Sequence, residues 1–224
     1  MRRERQDQQR ALRFALPHAL SLNFMPQWLT SVQRQFGDFP TQVVAGNVHD
    51  AVLSFVEGNS DLLICYHHPA QPVELNAKEY PFLRLGTDWV RAYTRCNHVR
   101  EPLHALPGTP EDPIPLLNYS PEAFLRRIVD RILESTPQKI HIRTAHETAM
   151  AEGLKNMVLE GHGIAFLPDN TAEEALRKGK IRAVGDDRLA TELEIRIYRD
   201  GRNTSERVRA MWTFLSGVCR TTRS

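Results

Sequence analysis

The side chains that stand out in this sequence suit binding better than bond-making. His18-Ala19-Leu20-Ser21 follows a strand-like run and places an imidazole and a hydroxyl near the head of an apolar helical pattern. A protonated histidine binds anions, and its unperturbed pKa is about 6.5; a plain loop histidine fits the same pattern. Ser21 either donates to a ligand or N-caps the helix. Asn47, after Gly46, either reaches a ligand or simply accepts a tight turn. Tyr66 closes one apolar run, and Tyr119 and Ser120 close another. His146, Glu147 and Thr148 stand where a helix is expected to begin: Glu147 favours the helix dipole, and Thr148 is placed for ligand contact.

A second chemistry is redox. Methionine is reversibly oxidised to a polar sulfoxide, which disturbs packing and can switch a domain. Met25, Met150 and Met157 are candidates, although methionine at helical spacing is more often core filler. Cys65 closes an apolar strand and is expected to be buried and inert. Cys96 precedes Asn97-His98 and is expected to be more exposed; redox activity would require an electropositive setting, and Arg95 and Arg100 are near in sequence. The three cysteines form no CxxC pair, which argues against a disulfide framework or a cysteine zinc site. His67 and His68 point to opposite faces if they lie on a strand, and no HxxxH or HExxH occurs. No metal and no cofactor are expected. Gly161-His162-Gly163 lacks the lysine and hydroxyl of a phosphate loop and reads as a tight turn. No GxSxG elbow or Ser/His/Asp set is present, so an enzyme is not expected.

These residues sit in a chain of 224 residues with 41% hydrophobic and 25% charged content, ordinary for a globular protein. The formal charge of +2 lacks the basic surplus of a free-standing DNA-binding domain. No apolar run approaches the roughly 20 residues that cross a bilayer, and the start MRRERQDQQRA does not resemble a signal peptide. A cytoplasmic protein without a membrane partner is expected. Residues 1–10 are polar and read as the end of a linker helix.

The positioning elements alternate. Leu12, Phe14 and Leu16 alternate as in a strand that Pro17 stops, and Leu20 to Phe36 has helical spacing. Thr41 to Ala45 reads as a strand, Val48 to Val56 as a helix, and Asp61 to Tyr66 as a buried parallel strand. Tyr80 to Leu85 and Trp89 to Tyr93 read as two more strands, and Leu103 to Pro115 as loop. A second unit follows. Pro115 to Tyr119 is a strand, and a helix to about Glu134 carries Pro121 in its first turn. Lys139 to Arg143 is a strand, Glu147 to Leu159 a helix and Ile164 to Leu167 a strand. A helix from Thr171 to Lys178 ends at Gly179. Strands over Ile181 to Val184 and Leu193 to Tyr198 and a helix over Ser205 to Val218 complete the chain. The fold class is α/β: two lobes of Rossmann-like mixed sheet, residues 11–92 with 188–220 and residues 93–187. Ligands in such sheets bind beyond the carboxyl ends of strands, where helix starts present free N–H groups. That suits a small polar or anionic ligand in a cleft between the lobes.

Several segments carry a family resemblance. LRFALPHALSLNFMPQWL, VVAGNVHDAVLSFVEGNSDLLIC, MAEGLKNMVLEGHGIAFLP and ALRKGKIRAV together resemble the effector-binding domain of LysR-type transcription regulators, from about Ala11 to Val218. PHALSLNFMP, DLLICYHH, PLLNYS and Met150 resemble a hypochlorite-responsive branch of that family. The resemblance implies a fold like type II periplasmic binding proteins and an effector site holding His18, Ala19, Leu20, Ser21, Asn47, Tyr66, Tyr119, Ser120, His146 and Thr148. It implies Met150 or Cys96 as a redox alternative. It also implies a homodimer or tetramer, with Trp28, Leu29 and Val32 of the first helix as interface residues or as plain core. A winged-helix DNA-binding domain would precede this chain, so DNA would be bound only through that missing part. The competing function is the solute-binding protein of a transporter, which would share the fold; the absent export signal argues against it.

Overall fold

The computed structural model describes residues 11–221. The linker expected over residues 1–10 lies outside the described residues. The chain divides into two compact units, one ending at Thr87 and resuming at Glu194, the other running from Asp88 to Leu193. It passes between them twice, within the long strands β4 (Phe82–Arg95) and β9 (Ala190–Arg199).

In the first unit, β1 (Leu12–Pro17) lies between β2 (Thr41–Gly46) and β3 (Leu62–His67), parallel to both. β9 closes the set antiparallel to β3, with His67 opposite Glu194. β1 and β3 are apolar on both faces because helices cover both: Leu12, Phe14, Leu16, Leu62, Leu63 and Ile64 are all buried. Ala15, Leu63 and Cys65 pack with Ala51 and Phe55 of α3 (Val48–Val56). The polar exception in β1 is Arg13. Its backbone N–H and its guanidinium donate to the two oxygens of Asp61 at 2.9 and 2.8 Å, which ties β1 to the start of β3.

The helix expected over Leu20 to Phe36 is two helices, α1 (His18–Asn23) and α2 (Met25–Phe36). Pro26 is the reason. It has no N–H, so it cannot continue the ladder from Leu22, and the helix restarts after Phe24. The closing helix α7 spans Glu206–Thr221, with Val208, Met211 and Leu215 buried.

In the second unit, β5 (Ile114–Tyr119) pairs in parallel with β6 (Ile142–Thr148), with an irregularity between Leu116 and Leu117. A single parallel bridge joins Leu116 to Ile164, just ahead of β7 (Ala165–Pro168). β4 runs antiparallel to β7 on one side and to β8 (Ile181–Val184) on the other. Helices α4 (Phe124–Ser135), α5 (Ala151–Leu159) and α6 (Asp169–Arg177) follow β5, β6 and β7 in turn.

Five expectations need correction here. The two strands expected over Tyr80 to Tyr93 are one, β4. The Gly86-Thr87-Asp88 step reads as a break, yet Asp88 is 4% exposed and satisfied. Its carboxylate accepts from the backbone N–H groups of Trp89 and Asn170 at 2.9 and 3.2 Å, and from Asn170 Nδ2 at 2.9 Å. Pro121 lies in the turn before α4, which begins at Phe124. The strand expected over Lys139 to Arg143 lies instead at Ile142–Thr148, and the following helix starts only at Ala151. The strand expected from Leu193 begins at Ala190.

The Gly161-His162-Gly163 turn is constrained by contact. At Gly163 (φ +155) a Cβ would stand 2.2 Å from the Pro115 carbonyl oxygen, so only glycine lets α5 return to β7 so close to β5.

Candidate functional site

In the first unit the register brings the expected residues to one sheet end. Pro17 pairs with Gly46, so His18 and Asn47 follow paired residues on adjacent strands. α1 starts at His18 itself, with Pro17 in the N-cap position and no side-chain cap. Ser21 is therefore the fourth helical residue, and its expected capping role is overturned. His18 and Ser21 are half-buried, whereas Ala19 and Leu20 are buried. Asn47 is exposed, and its side chain accepts the Asp50 N–H at 2.9 Å, making it the N-cap of α3. Tyr66 is buried near the end of β3. Next to it, burial lowers the His67 pKa, with Arg196 adding to the effect.

In the second unit Tyr119 pairs with Thr148, so the ends of β5 and β6 coincide. The Ser120 N–H donates to the Thr148 carbonyl at 3.1 Å. The Thr148 hydroxyl accepts the Met150 N–H at 3.4 Å, and Met150 is the N-cap residue of α5. His146, Glu147 and Thr148 do not begin a helix; they end a strand. Glu147 finds a partner that outweighs any dipole effect, because Arg126 donates to its carboxylate at 2.8 Å. Arg126 also donates to the Tyr119 carbonyl at 2.9 Å and to Asp130 at 2.9 Å. The Asp130 carboxylate, with that of Glu147, holds the guanidinium in the charged form, above the usual arginine value. Sequence reasoning missed Arg126, a residue of α4; the sequence offers for it only the i,i+4 helical pair with Asp130. His146 is exposed on β6. The Tyr119 side chain is buried, its hydroxyl has no hydrogen-bond partner among the described residues, and burial raises its pKa.

The redox candidates separate by exposure. Met150 is 42% exposed. Met25 and Met211 are buried, and Met157 is half-buried. Cys65 is fully buried, and desolvation pushes its thiol up to about 12. Cys96 is half-buried, with its N–H donating to the Lys180 carbonyl at 2.8 Å. Among the described residues no group of three or more His, Cys, Asp or Glu is placed to hold a metal, and no helix is long and apolar enough to cross a membrane.

The arrangement defines a class. Each unit is an α/β layer whose parallel strands end on helix starts, and the strand ends gather hydroxyl, imidazole and amide groups. This is a two-unit ligand-binding domain.

The chain belongs to the family of LysR substrate binding domains, which it matches over residues 5–220. It is an effector-binding regulatory domain of the LysR type. It is 28% identical over 191 residues to the HTH-type transcriptional regulator YjiE of Escherichia coli K12, covering 85% of this chain and 59% of that protein. The chain thus spans well under two thirds of that relative. Among solved structures, the regulatory domain of HypT from Salmonella typhimurium in its apo form is 26% identical, with a TM-score of 0.79 over 95% of this chain and 96% of that one. Full-length HypT, described as a hypochlorite-specific LysR-type transcriptional regulator, is 26% identical with a TM-score of 0.78, over 95% of this chain and 69% of that chain. The relatives are regulators, which sets aside the transporter alternative.

Proposed function

We propose that this domain senses an oxidant or a small anionic effector and controls an attached DNA-binding domain in the cytoplasm. The observation that carries the reading is the placement of Met150. It stands exposed at the head of α5, bonded to Thr148, which in turn pairs with Tyr119 and accepts from Ser120. Oxidation there adds a polar oxygen to the thioether and makes its sulfur a stereocentre, at the junction of two strand ends and a helix start. In support, the full-length neighbour is described as hypochlorite-specific, and the HypT regulatory domain is known in a bromide-bound form and as a methionine-to-glutamine mutant. An anion would be read by the strand ends: in the first unit by His18, Ser21, Asn47 and the first turn of α1, in the second by Ser120, Thr148 and His146. Tyr66 and Tyr119 would shape these ends from beneath. No substrate turnover belongs to this reading.

The domain would work as a homodimer or tetramer. β2 is an edge strand with Val43 and Val44 exposed, a surface that readily accepts a second chain. Of the helix residues considered for an interface, Val32 is buried within its own unit, and Trp28 and Leu29 are half-buried.

The test is a reporter assay on the whole regulator. Met150→Gln, a mimic of the sulfoxide, should give the oxidised response without oxidant, and Met150→Leu should remain unresponsive to hypochlorite. A wild-type response from Met150→Leu rejects the redox reading and leaves the anion reading to be tested by binding.

A further inference from the structure

In the second unit β8 is an open edge. It pairs with β4 and with no other strand among the described residues. The Cys96 N–H donates to the Lys180 carbonyl at 2.8 Å, which sets the alternation of that pairing: Lys180 and Arg182 turn their peptide groups toward β4. Those of Ile181 and Ala183 therefore point outward. Arg95, opposite Ile181, turns its carbonyl to the far side of β4, where it accepts the Leu103 N–H at 2.9 Å. Among the described residues nothing meets the outward N–H and C=O groups of Ile181 and Ala183.

The side chains along this edge are basic. Lys180 and Arg182 share one face of β8, are exposed, and have no ion pair among the described residues. Arg100 adds a third cation at the head of the strand: its guanidinium carbon is 3.5 Å from where a Cβ would stand on Gly179, just past α6. Lys178 is already met by Glu174 at 2.5 Å. Asp186 and Asp187 follow β8, so the basic stretch ends with the strand.

Cations on an edge strand turn away unsuitable partners. A second β8 would bring Lys180 and Arg182 against their own copies, and like charges across a strand pair repel. Residues 1–10, with four arginines against Glu4 and Asp7, carry the same sign. A nucleic-acid backbone supplies phosphate acceptors but no donor for the outward carbonyls. An extended acidic peptide supplies donors, acceptors and opposite charge together.

We propose that the open edge of β8 receives an extended acidic segment of another protein, which adds as a further strand with carboxylates beside Lys180 and Arg182. This is an interaction surface separate from the strand ends, and main-chain bonding gives it affinity while the two cations choose the partner.

The experiment uses the whole chain and, as probe, a hexapeptide in which glutamate alternates with valine. A lysine–valine hexapeptide and a random-sequence DNA duplex are its counterparts. Affinity is read by fluorescence anisotropy, and strand addition by hydrogen exchange at the Ile181 and Ala183 amides. Saturating glutamate peptide should slow exchange of both amides by about tenfold or more. The lysine peptide should bind severalfold more weakly, as expected for two exposed charge pairs. Lys180→Glu combined with Arg182→Glu should reverse that order, which mere loss of structure would not do. Ala183→Pro removes one outward N–H and should abolish binding of the glutamate peptide; N-methylation of the peptide at every residue does the same job if Ala183→Pro unfolds. Equal affinity for the two peptides, an unreversed order in the folded double variant, or binding that leaves exchange at Ile181 and Ala183 unaltered overturns the proposal. Binding of the duplex without binding of the glutamate peptide would make this surface a phosphate contact, and would also overturn it. None of these outcomes bears on Met150 or the strand ends.

Discussion

Limiting hypochlorite should mark the methionines of this domain in a fixed order. Met150 is 42% exposed, while Met25 and Met211 are 3% and 0% exposed. Oxidant reaches a buried thioether only through local opening. If the helices carrying Met25 and Met211 open at a cost of about 4 kcal/mol, within the usual range of sub-global opening, their oxidation is slowed by about a thousandfold. Half-buried Met157 falls between. Met150 should therefore be converted almost completely before either buried residue shows sulfoxide, with no loss of folded structure, because its side chain leaves no cavity behind. Peptide mass mapping after stepwise addition reads the order, and circular dichroism on the same samples checks the fold. Oxidation of Met25 or Met211 at a rate equal to that of Met150, in a protein that is still folded, would refute the exposure argument and the redox role built on it.

Three further outcomes follow from the packing. Gly163→Ala drives a Cβ to within 2.2 Å of the Pro115 oxygen and should cost about 3 kcal/mol or more, read as a fall in unfolding midpoint; an unchanged midpoint contradicts the close approach. The Cys65 thiol, at about 12 when folded against an ordinary 9.0, stays protonated in the native state while the unfolded chain loses that proton. Stability should fall as pH rises above 9, by roughly 1 kcal/mol at pH 10, and Cys65→Ala should make that fall shallower between pH 9 and 10, before the buried tyrosines contribute; an identical slope in Cys65→Ala denies the burial effect. Arg126→Gln loses the ion pairs to Glu147 and Asp130 that help to fix the ends of β5 and β6, and should cost about 1 kcal/mol of stability. On the proposed anion reading it should also weaken halide binding at the second unit, measured by titration, and leave any binding at the first unit unchanged; equal loss in both units would mark general destabilisation instead of positioning.

Much of this was legible in the sequence, because hydrophobic period reports burial directly. Runs such as LLICY, apolar on both faces, can only be covered strands, and Val48 to Val56 shows one clean helical face. The misreadings arose where a long-range partner overrode a local signal. Asp88 looks like a strand breaker until Asn170, 82 residues away, satisfies it. Glu147 looks like a first-turn helix charge until Arg126 claims it. Pro17 was read as a stop for β1, which it is, but it also serves as the N-cap of α1 and so moves Ser21 inside the helix. Arg126 was invisible because nothing in its neighbourhood says that its guanidinium will bind a carbonyl at the end of β5.

The reading that strand ends receive the signal can be tested most directly by amide chemical shifts of the labelled domain during titration with sodium bromide. Resonances of Ala19, Leu20 and Asn47 in the first unit, and of Ser120 and Thr148 in the second, should each move and saturate, while those of α7 stay put. Saturable shifts confined to other segments, or no saturable shift at all, would contradict that reading.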